Sequence, residues 1–280
     1  MKKEVITSRQ NPLCKRAASL SDRKAREELR LFRFDGIKLF CEAVLRGVEI
    51  EDIIVSERAR AQVFEKIGEI CKPADLESRV SLVSHDVFLK ISEEKSPEGI
   101  ITIAKYIDKL HKKVKIYKDG RDRLPEKSEK ILAAEALRDP GNLGTVIRSC
   151  AALGMDRLII SSDCADIYNP KTVRAAMGAG FFLPVDIVDT EKMPEYLRML
   201  TLSGRRAFAA TSREGASDIS EIKIAQGDFF VIGNEGHGLS QEVVSACSGA
   251  AMIPMRGGCE SLNAAAAAAI FIWETVRSAK

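Results

Sequence analysis

After residue 130 the chain alternates helix-like stretches with short runs that are apolar almost throughout: ILAAEAL, RLIIS, LPVDIV, RAFAA, FFVIG and AAMIP. A strand with one wet face would alternate apolar and polar residues. Continuous apolar strands separated by helices instead require a mainly parallel sheet covered on both faces, an α/β fold. This constraint also says where chemistry belongs, because ligands of open parallel sheets sit beyond the carboxyl ends of the strands, where the connections reverse.

With 280 residues, the chain has room for a second domain. Residues 12–30, PLCKRAASLSDRKAREELR, read as helix with Lys15, Arg16, Arg23, Lys24 and Arg26 on its polar side. Short strands are expected at Leu31–Phe34, Ile53–Val55, Val80–Val83 and Ile100–Ile103, with helices at Ile37–Leu45, Glu57–Ile70 and His85–Ile91 between them. The segment 111–130, HKKVKIYKDGRDRLPEKSEK, is charged and broken by Gly120 and Pro125, which marks a linker. The expected division is therefore a smaller α/β domain over 1–110, a basic linker over 111–128 and a parallel-sheet domain over 129–280.

Composition excludes several classes. Hydrophobic residues make up 45% and charged ones 30%, enough apolar surface for a packed core. The longest uncharged stretches, Val243–Met255 and Ser261–Trp273, fall short of the roughly 18 residues of a membrane span. The N-terminal MKKEVITSRQNP lacks the apolar run of a signal peptide, so a cytoplasmic protein is expected. Cys14, Cys41, Cys71, Cys150, Cys164, Cys247 and Cys259 are scattered without C-x-x-C spacing, and His85, His111 and His237 lie far apart, so no disulfide framework and no metal are expected. Residues 1–130 hold 29 Lys plus Arg against 23 acids, whereas 131–280 hold 14 against 17. The basic half suits a polyanion such as RNA, although a solvated charged face would look the same.

Three loops that follow strands carry unusual side chains. In the first, Arg138-Asp139-Pro140-Gly141-Asn142 precedes a helix expected from about Leu143 to Leu153 and stopped by Gly154. Its buried stripe is Leu143, Val146, Ile147 and Cys150, which leaves Arg148 on the opposite side. The second, Gly233-Asn234-Glu235-Gly236-His237-Gly238, has neither the dinucleotide nor the P-loop spacing; its glycines permit close backbone approach, and Glu235 is a carboxylate held among them. The third runs from Ile253 through Pro254, Met255, Arg256 and Gly257 to Glu260, Ser261, Leu262 and Asn263, with Ser261 the expected N-cap of the following helix. Asn263, placed in the first turn despite poor helix propensity, asks for another role. Together the loops form a polar site with an apolar rim.

These segments, NLGTVIRSCAALG from Asn142, VIGNEGHGLS from Val231 and IPMRGGCESLNAAAAAAI from Ile253, resemble the motifs of the SpoU or TrmH family of RNA ribose 2′-O-methyltransferases. The stretch DIYNPKTVRAAMGAGFFLPV from Asp166 is also similar to this family, and residues 6–106 resemble the L30e-like substrate-binding domain of its ribosomal RNA members. The resemblance implies a C-terminal domain tied in a deep trefoil knot, a smaller N-terminal L30e-like domain, S-adenosylmethionine as cofactor and a homodimer built through the C-terminal domain. It implies cofactor contacts from Thr211, Gly233, Ile253, Met255 and Leu262. It implies a catalytic cluster of Asn142, Arg148, Glu235, Ser261 and Asn263.

The reaction so implied is attack of a ribose 2′-hydroxyl on the sulfonium methyl group, with ribosomal RNA, 23S in particular, as substrate. A guanidinium, with a pKa above about 12, is a poor base. Arg148 is therefore expected to clamp a phosphate and stabilise the developing alkoxide, with a phosphate oxygen or Glu235 taking the proton. Two alternatives stay open at this point: transfer RNA as substrate, and a non-catalytic RNA-binding protein with a vestigial pocket.

Overall fold

The computed structural model describes residues 4–70, 78–116, 124–234, 236–256 and 261–278. It divides into two compact units, 1–107 with 166–181, and 108–165 with 182–280. The expected 129–280 domain thus gives up an internal stretch, 166–181, to the N-terminal unit.

In the first unit a four-stranded mixed sheet has the order β1-β4-β2-β3, built from β1 (Leu31–Asp35), β2 (Ile50–Ser56), β3 (Val80–Val83) and β4 (Ile100–Lys105). β4 runs antiparallel to β1 and β2, and β2 runs parallel to β3. Side chains alternate between two cores. Ile54 and Ile101 pack with Cys14, Ala17 and Phe88, whereas Ile53, Val55 and Ile100 pack with Phe40 and Val63. The helices are α1 (Pro12–Ser19), α2 (Arg23–Leu29), α3 (Ile37–Leu45), α4 (Arg60–Gly68) and α5 (His85–Ile91). The single helix expected over 12–30 is two, because Asp22 caps a new one by accepting from the Lys24 amide at 2.7 Å.

Arg26 was expected on the polar side, yet it is 1% exposed. Its guanidinium donates to the carbonyls of Leu20 and Ser21, both at 2.8 Å, and to Asp166 at 2.6 and 2.9 Å. That buried pair fastens the excursion 166–181 to its unit. Tyr168 adds a stacked contact with Tyr106 at 3.8 Å and accepts a hydrogen bond from the Ile107 amide at 2.7 Å.

In the second unit the strands, all parallel, follow the order β10-β12-β9-β11-β6-β7-β8-β5. In chain order they and their helices are β5 (His111–Lys113), β6 (Ile131–Ala134), α6 (Pro140–Leu153), β7 (Arg157–Ser161), α7 (Pro170–Ala176, within the excursion), β8 (Val185–Val188), α8 (Met193–Leu202), β9 (Ala207–Ala210), β10 (Ser217–Asp218), β11 (Phe229–Ile232), α9 (Gln241–Ala246), β12 (Gly249–Met252) and α10 (Ala264–Ser278). The parallel sheet is the expected one. From β6 the chain steps through β7 to β8, then crosses to the far side for β9, so connections reverse at the boundary between β6 and β11.

Two sequence expectations for this unit change. The segment 111–130 is not all linker: His111–Lys113 pair with β8 at the sheet edge, and Lys112 lies close enough to Asp186 to act on its carboxyl. At the other end Arg205, 2% exposed, donates to the carbonyls of Glu129 and Gly227, both at 3.1 Å, and also to those of Pro125 and Glu126. The alanine run does pack closely, with Ala264, Ala265 and Ala268 buried where α10 lies against α6.

Candidate active site

The first loop enters α6 earlier than the apolar pattern suggested, at Pro140. Asp139 caps it by accepting from the Asn142 amide at 2.7 Å, and Pro140 supplies a fixed φ at the first helical position. Asn142 therefore stands in the first turn, held by a helix. The buried stripe is Leu143, Val146, Ile147 and Cys150, and Gly154 closes the helix with φ +83°. Arg148 is exposed and hydrogen-bonds to nothing among the described residues.

The third loop corrects the expected cap. Asn263, not Ser261, caps α10: its Oδ1 accepts from the amides of Ala265 and Ala266 at 3.0 and 3.3 Å, and its carbonyl accepts from Ala267 at 2.9 Å. Its poor helix propensity is explained by a position just outside the helix. Its side-chain nitrogen is left to reach the first loop's helix, where Asn263 Nδ2 donates to Asn142 Oδ1 at 3.0 Å. Two asparagines 121 residues apart are thereby joined. Ser261 is exposed and lines the cleft described below.

The second loop is shaped by Asn234, which the sequence reading left out of the site. Asn234 Oδ1 accepts from the Gly236 amide at 2.8 Å, and the backbones of Asn234 and Gly238 exchange bonds of 3.2 and 2.9 Å. A Cβ on Gly233 would lie 2.4 Å from the Gly238 carbonyl carbon, so this close approach demands glycine. Glu235 lies outside the described residues.

Asn234 also couples the second loop to the first, because its Nδ2 donates to the Ala136 carbonyl at 2.9 Å. Ala136 sits at φ +55°, a conformation that costs a non-glycine residue about 1–2 kcal/mol. It is held there by Asn234 and by Ser161 Oγ, which accepts from its amide at 2.9 Å. Beneath it Cys164 Sγ accepts from the Leu137 amide at 3.3 Å, and burial pushes its thiol up to about 11. Glu135, 6% exposed, accepts from the Ser240 amide and hydroxyl at 2.8 and 2.7 Å, tying β6 to the start of α9.

A cleft of about 320 Å³ opens at the carboxyl ends of β9, β11 and β12. Thr211, Gly233, Ile253, Met255 and Leu262, the five residues expected to contact a cofactor, all line it, and so does Ser261. Leu262 leads directly into Asn263, so the cleft abuts the asparagine pair. Arg213, His237 and Phe271 line it as well and were not singled out from sequence. Arg213 donates to Gln241 Oε1 at 2.8 Å and to the Leu239 carbonyl at 3.3 Å, joining the two lips. An apolar slot with hydroxyls and backbone amides at its rim suits a nucleoside with a short polar arm, and the volume lies in the range of small-molecule sites. Among the described residues no cluster of His, Cys, Asp and Glu could hold a metal.

Comparison with known proteins identifies the family. Residues 129–273 match the SpoU rRNA Methylase family, and residues 11–102 match the MRM3-like substrate binding domain. The first match spans more than half of the sequence, and the chain belongs to the SpoU rRNA methylase family. It is similar to the 23S rRNA (guanosine(2553)-2'-O)-methyltransferase RlmP of Bacillus subtilis (strain 168), 28% identical over 274 residues that cover 96% of this chain and 97% of that protein. It is similar as well to the 23S rRNA (uridine(2479)-2'-O)-methyltransferase of Streptomyces viridochromogenes, 27% identical over 276 residues, covering 97% and 91%. Among solved structures, the AdoMet-bound rRNA methyltransferase from Sinorhizobium meliloti superposes with a TM-score of 0.79 at 28% identity, covering 99% of this chain and 98% of that one.

Proposed function

We propose that this protein transfers the methyl group of S-adenosylmethionine to the ribose 2′-hydroxyl of one nucleotide in 23S ribosomal RNA. The observation that carries the reading is the meeting of Asn142 and Asn263 at 3.0 Å beside a cleft lined by all five expected cofactor contacts. The cofactor supplies an electrophilic methyl on a sulfonium. Thr211, Gly233, Ile253, Met255 and Leu262 would hold it, and Ser261 with the asparagine pair would orient the incoming ribose. In-line positioning of two reactants is worth roughly 7 to 11 kcal/mol of barrier, which makes a rigid, capped and cross-linked pair useful. Arg148, exposed on α6 six residues beyond Asn142, would grip the adjacent phosphate and stabilise alkoxide charge, while a phosphate oxygen or Glu235 receives the proton.

The same reading extends to architecture. The N-terminal unit would be the L30e-like RNA-binding domain. The chain returning from β12 past β9 and β11 to seat α10 on α6 would be the threaded segment of a trefoil knot. The outer side of α10, with Ala266 and Trp273 exposed, would pair with a second copy as a homodimer. The buried thiols Cys14, Cys150 and Cys164 suit a reducing cytoplasm. Incubating the protein with labelled cofactor and unmodified 23S rRNA, then mapping alkali-resistant linkages, tests the function. A single protected linkage is expected, and none would refute it.

A further inference from the structure

At the carboxyl ends of β7 and β8, one side of Ala136, a carboxylate is held with unusual care. Asp163 Oδ1 accepts from Ser161 Oγ at 2.6 Å and from Thr190 Oγ1 at 3.0 Å, and the Asp163 amide donates back to Thr190 Oγ1 at 3.2 Å. Ser162 Oγ lies 3.2 Å from the same Thr190 hydroxyl and accepts from the Thr190 amide at 3.1 Å. Partial burial alone would raise the Asp163 pKa, but the bonds from Ser161, Thr190 and Arg138 outweigh it and hold the carboxyl below its ordinary value. The charge is therefore fixed in place and kept ionised.

The cation it faces is Arg138. Arg138 Nη2 lies 3.4 Å from Asp163 Oδ2, and the Arg138 side chain is 67% exposed. An ion pair so open contributes at most about 1 kcal/mol to stability, so fold stability does not account for the Arg138–Asp163 contact itself. The network fixes the carboxylate that one edge of the guanidinium faces. The other donors of a planar five-donor fork bond to nothing among the described residues, on an exposed side chain four residues before Asn142.

We propose that Arg138 is a phosphate contact for the RNA, distinct from Arg148, and that Asp163 is the positioning residue that sets its direction. The proposal rests on the reading of the site as an RNA ribose methyltransferase. A guanidinium anchored on one side and open on the other accepts a backbone phosphate by paired hydrogen bonds, fixing the register of the ribose over Asn142 and Asn263. A lysine there would supply charge without direction.

The test measures binding of the full chain to an in vitro transcript of 23S rRNA over a range of salt concentrations, beside methyl-transfer kinetics. Arg138→Gln is expected to weaken binding roughly tenfold and to reduce the slope of log affinity against log salt by about 0.7, the share of one phosphate contact. Binding of S-adenosylmethionine, read by calorimetry, stays within twofold. Asp163→Asn keeps the slope but lowers kcat severalfold, and adding it to Arg138→Gln costs nothing more. An unchanged slope in Arg138→Gln overturns the contact. A further loss from Asp163→Asn in the Arg138→Gln background overturns the positioning role, because it would show the network serving only its loops. The slopes come from binding alone, so absence of methyl transfer by the unaltered protein would refute the assigned reaction and leave this result standing.

Discussion

The asparagine pair offers a perturbation that separates folding from chemistry, because Asn263 uses its two amide atoms for different ends. Its oxygen caps α10 through the amides of Ala265 and Ala266, and its nitrogen reaches Asn142 Oδ1 at 3.0 Å. Asn263→Ala removes both. Loss of the cap costs about 1 kcal/mol, and loss of an exposed side-chain hydrogen bond about 0.5 kcal/mol. For a unit of this size each kcal/mol moves Tm by about 2–4 °C, so a fall of about 3–6 °C is expected. Asn263→Asp keeps a capping oxygen and adds a negative charge at a helix N-terminus, which is favourable there, so Tm should stay within about 2 °C of the unaltered protein. It nonetheless turns the donor facing Asn142 Oδ1 into a second acceptor. Asn142 then loses its bond from Asn263, and a displacement of about 1 Å in a positioned group can lower kcat about a hundredfold. Thermal unfolding by circular dichroism and single-turnover methyl transfer read the two effects separately. An Asn263→Asp protein with unaltered Tm and unaltered turnover would refute the argument that this bond serves the reaction.

Other expectations follow from single contacts. Arg148→Ala, at an exposed position without hydrogen bonds among the described residues, should leave Tm unchanged and S-adenosylmethionine affinity within a few fold while abolishing transfer; loss of cofactor binding instead would contradict its assignment to the RNA side. Asp166→Ala strands the buried Arg26 guanidinium and should destabilise the N-terminal unit by about 3–5 kcal/mol in urea unfolding, with a loss below about 1 kcal/mol showing that 166–181 is held by other contacts. Burial pushes the Cys247 thiol up to about 12, with the nearby Glu135 carboxylate adding to it, and raises Cys164 to about 11. Both should resist iodoacetamide at pH 8 in the folded protein. The folded state keeps these protons where the unfolded chain loses them, so stability should decline as pH rises from the ordinary thiol value, near 8.5, towards those raised ones. Rapid alkylation of Cys164 at pH 8 would refute this.

What could be read from the sequence was whatever depended on local periodicity. The runs RLIIS and FFVI became β7 and β11 because strands buried on both faces leave a continuous apolar signature. The stripe through Leu143 and Cys150 placed Arg148 on the open side of α6, and the five residues expected to contact a cofactor line one cleft. Features set by distant partners were not legible. Arg26 reads as a surface base unless its contact with Asp166, 140 positions away, is known. The short polar strand HKK has no apolar signature, and only its pairing with β8 makes it part of the sheet. The caps are illegible for another reason: Asp139 before Pro140 starts the helix three residues ahead of its apolar stripe, and Asn caps a helix as well as Ser does, so residue type does not choose between Ser261 and Asn263.

The same division explains how a parallel sheet can host a site assembled from such separate stretches. Each loop leaves a strand at the same end, so topology brings them near one another without specifying their mutual placement. That placement rests on a few polar bonds between loops: Asn234 to the Ala136 carbonyl, Ser161 to the Ala136 amide, Glu135 to Ser240 and Asn263 to Asn142. The first two hold Ala136 at a positive φ that alanine disfavours by about 1–2 kcal/mol. A backbone kept in such a state shows that the surrounding bonds over-determine the loop. The start of the first loop is thus held by bonds of the fold itself, which would supply part of the positioning that methyl transfer needs.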